Sequence, residues 1–96
     1  MRTSNHLELR ISERYFGELS IPEVVDAVIA AAAKAKKVVD FTNHKGQAKQ
    51  YAIIFFEGEY WGLGIADDFN VATTLLTPYM VEKNRERKGF LESYIA

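Results

Sequence analysis

The sequence contains no cysteine, two prolines and two histidines among its 96 residues. The absence of cysteine excludes a disulfide framework, a zinc ribbon and a thiol nucleophile. The longest apolar run covers residues 27–33, which is far shorter than the roughly 20 residues that span a bilayer. Residues 1–6 lack the apolar stretch of a signal peptide, so we expect a cytoplasmic protein that does not enter a membrane.

The composition suits one globular domain. Hydrophobic residues make up 48% of the chain and charged residues 26%, which are ordinary values for a soluble fold. No linker or repeat divides the chain, so we expect a single domain over residues 1–96. Its core is large enough to be stable without a disulfide or a structural metal. The two histidines, His6 and His44, show no metal-ligand spacing. We therefore expect neither a metal nor a cofactor.

Charge is segregated along the chain, although the net charge is only −1. Residues 34–50 contain five lysines and one aspartate, whereas residues 51–81 contain four acidic residues and no basic residue. A protein that grips a long nucleic acid usually carries a basic excess over the whole domain. The local basic segment instead favours a small RNA footprint or a protein partner of complementary charge.

The clearest helix signal begins at Ser20. Ser20 and Glu23 have the spacing of a capping box, in which each side chain accepts a hydrogen bond from the other residue's amide. Pro22 fits the first turn because its missing N–H costs nothing there. Apolar residues then recur at helical spacing, and lysines follow where they stabilise the negative end of the helix dipole. The pattern predicts a helix over residues 21–36.

The middle of the chain has the composition of strands joined by turns. β-Branched, aromatic and continuously apolar segments alternate with turn residues, among them Glu57-Gly58-Glu59. An apolar–polar alternation over residues 7–11 predicts a further N-terminal strand, with a helical turn over residues 12–16 left open. The predicted strands of the antiparallel meander cover residues 38–42, 51–56, 60–66 and 71–77.

These elements predict an α+β fold. An amphipathic helix packs on a three- to four-stranded antiparallel meander, and residues 79–95 have the composition of a C-terminal helix interrupted by Gly89. We expect the helices on one face of the sheet. The predicted core consists of Val25, Val28, Ile29, Ala32, Ile53, Phe55, Ile65 and Leu75.

Two basic positions are candidates for chemistry on a phosphodiester. His44 and Lys45 lie at the tip of the first predicted hairpin, where an imidazole beside an ammonium can act as an acid–base pair. The same residues also suit a solvated turn. Arg14 precedes the main helix and either contacts a phosphate or pairs with a neighbouring carboxylate.

Several segments together carry a family resemblance. Ile11-Ser12-Glu13-Arg14 precedes the helix, the last strand runs into Thr77-Pro78-Tyr79, and Lys83-Asn84-Arg85-Glu86-Arg87 forms a basic tail. This order resembles the broad superfamily of small ribonucleases that includes barnase, EndoU, colicin-type tRNA nucleases and RelE-type toxins, particularly its BrnT-like branch. Where many members carry a histidine at the first helix, this chain has Arg14 and Tyr15.

The resemblance implies metal-independent cleavage or binding of RNA. In such enzymes the 2′-hydroxyl of the RNA is the nucleophile, and side chains move protons and hold phosphate charge. With the hairpin pair added, the catalytic candidates are Arg14, His44, Lys45, Thr77 and Tyr79. The basic segment and the basic tail supply the nucleic-acid-binding candidates, which are Lys36, Lys37, Lys49, Arg85, Arg87 and Lys88.

A protein-binding module is the alternative function. A small inhibitor, immunity protein or antitoxin-like protein would use the acidic segment and its aromatic residues against a basic partner. Tryptophan is a favoured interface anchor, although Trp61 suits the core equally well. The partner-binding candidates are Glu57, Glu59, Trp61, Asp67 and Asp68.

Self-association depends on the predicted strand that ends at Thr77. Its residues 71–76 carry no charge, and an uncharged edge strand pairs readily with another chain. The N-terminal strand, the C-terminal tail or a second copy of the protein must therefore cover it. We expect a monomer or a weak homodimer.

Overall fold

The computed structural model describes residues 1–42, 45–66, 70–86 and 91–94. Within them the fold is α+β, and the strands form one sheet in the order β1-β5-β4-β3-β2-β6. The elements in chain order are β1 (Arg2–Thr3), α1 (Asn5–Arg14), α2 (Ile21–Ala33), β2 (Lys37–Thr42), β3 (Ala48–Phe56), β4 (Glu59–Ala66), β5 (Val71–Leu76), α3 (Pro78–Glu86) and β6 (Leu91–Tyr94).

The main helix begins where the capping box predicts. The Glu23 amide donates to Ser20 Oγ, and the Ser20 amide donates to the Glu23 carboxylate. The helix ends at Ala33, three residues before the predicted end, with Lys34 as its C-cap. The chain must leave the helix there because β2 already begins at Lys37.

The N-terminal alternation belongs to a helix, so the predicted strand over residues 7–11 is wrong. Leu7 and Ile11 are buried four residues apart on one face of α1, whereas Leu9 is 49% exposed. Three alternating apolar residues are too few to separate a period of 2 from a period of 3.6. Packing against β5 and α2 selects the helix.

The central strands form the predicted antiparallel meander. Phe56 pairs with Glu59 across a two-residue turn in which Glu57 and Gly58 have φ values of 50° and 79°. Positive φ at both positions is typical of the type I′ hairpin. The sheet as a whole is mixed because β1 pairs with β5 in parallel. The predicted C-terminal helix is present over Pro78–Glu86, but its extension over residues 91–94 is wrong, because these residues form β6 and pair with β2.

Helices cover both faces of the sheet, which corrects the expectation of one covered face. α1 and α2 pack on one face, where Leu7, Ile11, Val24 and Val28 meet the inward residues of the strands. Val81 of α3 packs on the other face. The two clusters explain why residues 51–54 of β3 are apolar without interruption, because these side chains enter the two clusters alternately.

The predicted core is partly correct. Val28, Ile53, Ile65 and Leu75 are buried. Val25, Ile29 and Ala32 are only partly buried because Val24 and Val28 occupy the inward face of α2. Phe55 is 60% exposed, so its assignment to the core is wrong.

The outer edge of β5 is covered within the chain by the N-terminal segment, but the strand expected to provide this cover does not form. The cover comes from residues 2–4 and from α1 instead of a strand over residues 7–11. A homodimer through this edge would have to displace hydrogen bonds from Arg2 N to Asn70 O (2.7 Å), Ser4 N to Ala72 O (2.9 Å), Ser4 Oγ to Thr73 O (3.1 Å) and an Arg14 guanidinium nitrogen to Leu75 O (2.8 Å).

In the described ranges of the chain, no helix has both the length and the apolar character needed to cross a bilayer.

Candidate functional site

A cleft of about 680 Å³ opens where α2 ends and β2 begins. β2 starts at Lys37, which pairs with Ile53, so residues 54–56 of β3 continue beyond the end of β2 and pair only with β4 among the described strands. The connection from Lys34 to Lys36 passes beside this extension. The cleft is lined by Ala31, Lys34, Ala35, Lys36, Lys37, Ile53, Phe55 and Tyr60.

Two aromatic rings form one wall of the cleft. Phe55 and Tyr60 are cross-strand partners of the β3–β4 hairpin, and their ring centroids lie 5.1 Å apart with the planes at 70°. Phe55 is 60% exposed and Tyr60 is 61% exposed. α3 covers Tyr51 and Ile53 on the same face but leaves these two rings open to solvent.

Three lysines also line the cleft. Lys34 and Lys36 are exposed and Lys37 is partly buried. A helix dipole stabilises a cation near its negative end, but the effect falls off within the last turn. Lys36 and Lys37 lie beyond the C-cap, so the dipole does not account for them.

The acidic residues of the adjacent hairpin, Glu57 and Glu59, are not among the residues that line this cleft. Side chains alternate along a strand, so Glu59 lies on the face opposite Tyr60. Glu57 accepts a hydrogen bond from the Tyr15 hydroxyl at 2.8 Å, on the side of α1. The cleft therefore combines positive charge with exposed aromatic surface.

Arg14 forms a hydrogen bond to the outer edge of β5. Its guanidinium donates to the Leu75 carbonyl at 2.8 Å and reaches Thr74 Oγ1 at 3.4 Å. Burial lowers the pKa of Arg14, and the nearby Arg10 lowers it further, yet an arginine stays charged at physiological pH. The structure thus gives this cation a partner inside the fold.

Thr77 and Tyr79 lie at the start of α3. The Met80 amide donates to Thr77 Oγ1 at 3.2 Å, so Thr77 is the N-cap of this helix. Tyr79 is 70% exposed, and Lys83 Nζ lies 5.5 Å from its ring centroid. Both residues therefore have structural roles or local partners.

The catalytic candidates do not come together in the described part of the chain. Lys45 is exposed in the β2–β3 turn, at the end of the sheet where β5 begins. Thr77 follows the other end of β5. His44 lies outside the described residues.

The nucleic-acid-binding candidates divide in the same way. Lys36 and Lys37 line the cleft, whereas Lys49 pairs with Phe41 near the opposite end of β2. Arg85 belongs to α3, with its side chain outside the described set, and Arg87 and Lys88 lie outside the described residues.

Among the partner-binding candidates, the proposed interface anchor Trp61 is buried. Trp61 is only 7% exposed and packs with Tyr15 and Phe56 at centroid distances of 6.4 Å and 5.6 Å. It belongs to the core, so its use as an interface anchor is wrong. Glu57 and Glu59 are exposed, while Asp67 and Asp68 lie outside the described residues.

Sequence reasoning missed the exposed ring of Phe55. The unbroken apolar run over residues 51–56 does not show which of these residues face outward. The two-residue turn at Glu57 and Gly58 could have revealed it, because that turn places Phe55 opposite Tyr60.

Within the described ranges, no group of three His, Asp or Glu side chains is arranged to hold a metal ion. No protein-family model, curated protein or solved structure matches this chain. The geometry of the cleft is therefore the basis on which a function can be inferred.

Proposed function

We propose that this protein is an RNA-binding relative of the small ribonucleases, and that the cleft between α2 and the β3–β4 hairpin is its RNA site. The observation that carries the proposal is the convergence of three lysines and two exposed aromatic rings on one cleft. Lysine neutralises phosphate, and aromatic side chains accept the faces of bases.

The charge pattern supports a short RNA footprint. The net charge is −1, so the domain as a whole does not attract a polyanion strongly. The lysines of the cleft are concentrated at one connection, and the acids of the β3–β4 hairpin do not line the cleft. Attraction is thus local and suits a few phosphates.

Binding is better supported than cleavage. General acid–base catalysis needs proton donors and acceptors within hydrogen-bond reach of one phosphodiester. Lys45 and Thr77 lie at opposite ends of the sheet, and Arg14 donates a hydrogen bond to the Leu75 carbonyl. These three candidates do not form one such set.

Fluorescence anisotropy with a labelled single-stranded RNA of about 12 nucleotides tests the proposal. The wild-type protein should bind more weakly as salt rises. Because each phosphate contact on a single strand contributes about 0.7 to the salt slope, the triple variant K34A/K36A/K37A should lose about 2 from it. The matched control K45A/K49A removes two lysines at the other end of the sheet and should keep the wild-type slope.

The proposal is wrong if the wild-type protein shows no salt-dependent RNA binding, or if the triple variant binds as the wild type does. Incubation of the same RNA in EDTA reports on cleavage, and loss of cleavage in K45A would restore the ribonuclease prediction. A stoichiometric protein captured through Glu59, and lost in E59K, would instead support the protein-binding alternative.

A further inference from the structure

We propose that the Phe55–Tyr60 pair stacks on an unpaired nucleobase, so that the cleft selects single-stranded over double-stranded RNA. This inference rests on the RNA-binding function proposed above. It assigns the recognition of the base to the two rings and the recognition of phosphate to Lys34, Lys36 and Lys37.

The rings are placed for a ligand. Phe55 and Tyr60 meet edge to face, with planes at 70°. In this arrangement the two rings contact each other and still leave aromatic surface exposed, since each side chain is about three-fifths exposed to solvent. A base can add to this surface because every base has a π-face.

Their position relative to the lysines suits one nucleotide and its neighbours. All five side chains line the same cleft. Lys37 pairs with Ile53, which places it on the same face of the sheet as Phe55, two residues along β3. Phosphates held by the lysines therefore keep an adjacent base within reach of the rings.

Duplex RNA does not offer this contact. Its bases are paired and stacked, and their faces are not available to side chains. Duplex RNA can reach the lysines only through its phosphates. We therefore expect single strands to gain affinity from the rings, whereas duplex binding depends on charge alone.

The same pair also stabilises the hairpin, because cross-strand aromatic neighbours favour strand pairing. The test must separate stacking on RNA from stability of the fold. F55L/Y60L removes both rings and keeps apolar side chains. F55Y/Y60F keeps both rings in the same places, and F16L removes an exposed ring that does not line the cleft.

Anisotropy titrations with the labelled 12-mer, alone and annealed to its complement, compare these variants. F55L/Y60L should bind the single strand roughly 5- to 100-fold more weakly, with duplex affinity and salt slope unchanged. F55Y/Y60F and F16L should bind as the wild type does. Urea unfolding and far-ultraviolet circular dichroism check each fold, and Y60L replaces the double variant if that variant is unfolded.

The outcomes separate the two proposals. Base stacking is wrong if the ring-deleted variant keeps wild-type affinity for the single strand, or if the wild type binds duplex as tightly. RNA binding still stands in those cases if K34A/K36A/K37A loses affinity. Absence of salt-dependent binding by the wild-type protein overturns both proposals together.

Discussion

Replacing Arg14 by methionine should destabilise the domain, because this arginine caps the edge strand. The Leu75 carbonyl accepts its guanidinium at 2.8 Å in a partly buried position. A hydrogen bond to a charged group contributes about 1.5–3 kcal/mol, and we expect the lower part of that range because solvent reaches the pair. Methionine keeps much of the apolar stem while removing the donors.

The expected loss is therefore about 1.5–2 kcal/mol in the free energy of unfolding, measured by urea titration. For a domain of this size, each kcal/mol lowers Tm by about 4–8 °C. Arg10 gives the matched control on the same helix. It forms an exposed pair with Glu13 at 3.0 Å, and exposed pairs contribute little, so R10M should cost well below about 1 kcal/mol.

A second measurement follows from the edge that Arg14 protects. With Leu75 O uncapped, part of β5 becomes an open edge of uncharged residues. Light scattering over a dilution series should show more dimer for R14M than for the wild type. If R14M keeps the wild-type unfolding free energy and instead loses RNA affinity, Arg14 is a phosphate ligand and the edge-cap reasoning is refuted.

Three further changes test the packing and the titrating groups. G64A should cost about 1–3 kcal/mol in urea unfolding, because the added Cβ would lie 2.5 Å from Thr74 Cγ2; unchanged stability would contradict the close packing. The hydrogen bond from the Ser20 amide lowers the pKa of Glu23, so its carboxylate stabilises the fold above the unfolded pKa and that contribution is lost as pH falls through the folded value. In E23Q, Tm should fall less steeply than in the wild type as the pH is lowered. An unchanged decrease would exclude the capping box as a source of the acid sensitivity. Burial raises the pKa of Tyr15, so its neutral phenol stabilises the fold below the unfolded pKa and that contribution is lost as pH rises through the folded value. Y15F should flatten the alkaline limb, and a Tm profile equal to that of the wild type would argue against this role.

Local signals predicted the elements whose hydrogen bonds close over a few residues. The capping box of Ser20 and Glu23 marks the start of α2, since both partners lie within one turn. The β3–β4 hairpin is encoded by Gly58, which adopts positive φ without a steric cost. The resemblance to small ribonucleases remains a prediction, because it depends on the order of such elements and on no contact seen here.

Tertiary packing decided the residues whose local pattern fits two structures. Leu7 and Ile11 satisfy both an alternating strand and one face of a helix, and burial against β5 and α2 selects the helix. Trp61 and Tyr60 are adjacent in sequence. Their side chains lie on opposite faces of the sheet. Trp61 is buried and Tyr60 is exposed because α1 and α2 cover the face on which Trp61 lies.

The cleft itself belongs to the tertiary structure. Composition identified the basic segment that contains Lys36 and Lys37, but the aromatic wall comes from residues more than fifteen positions later in the chain. Phe55 joins the lysines only because β2 begins opposite Ile53 and leaves the end of β3 open. Strand register is set by long-range pairing and packing, which no local window of sequence contains.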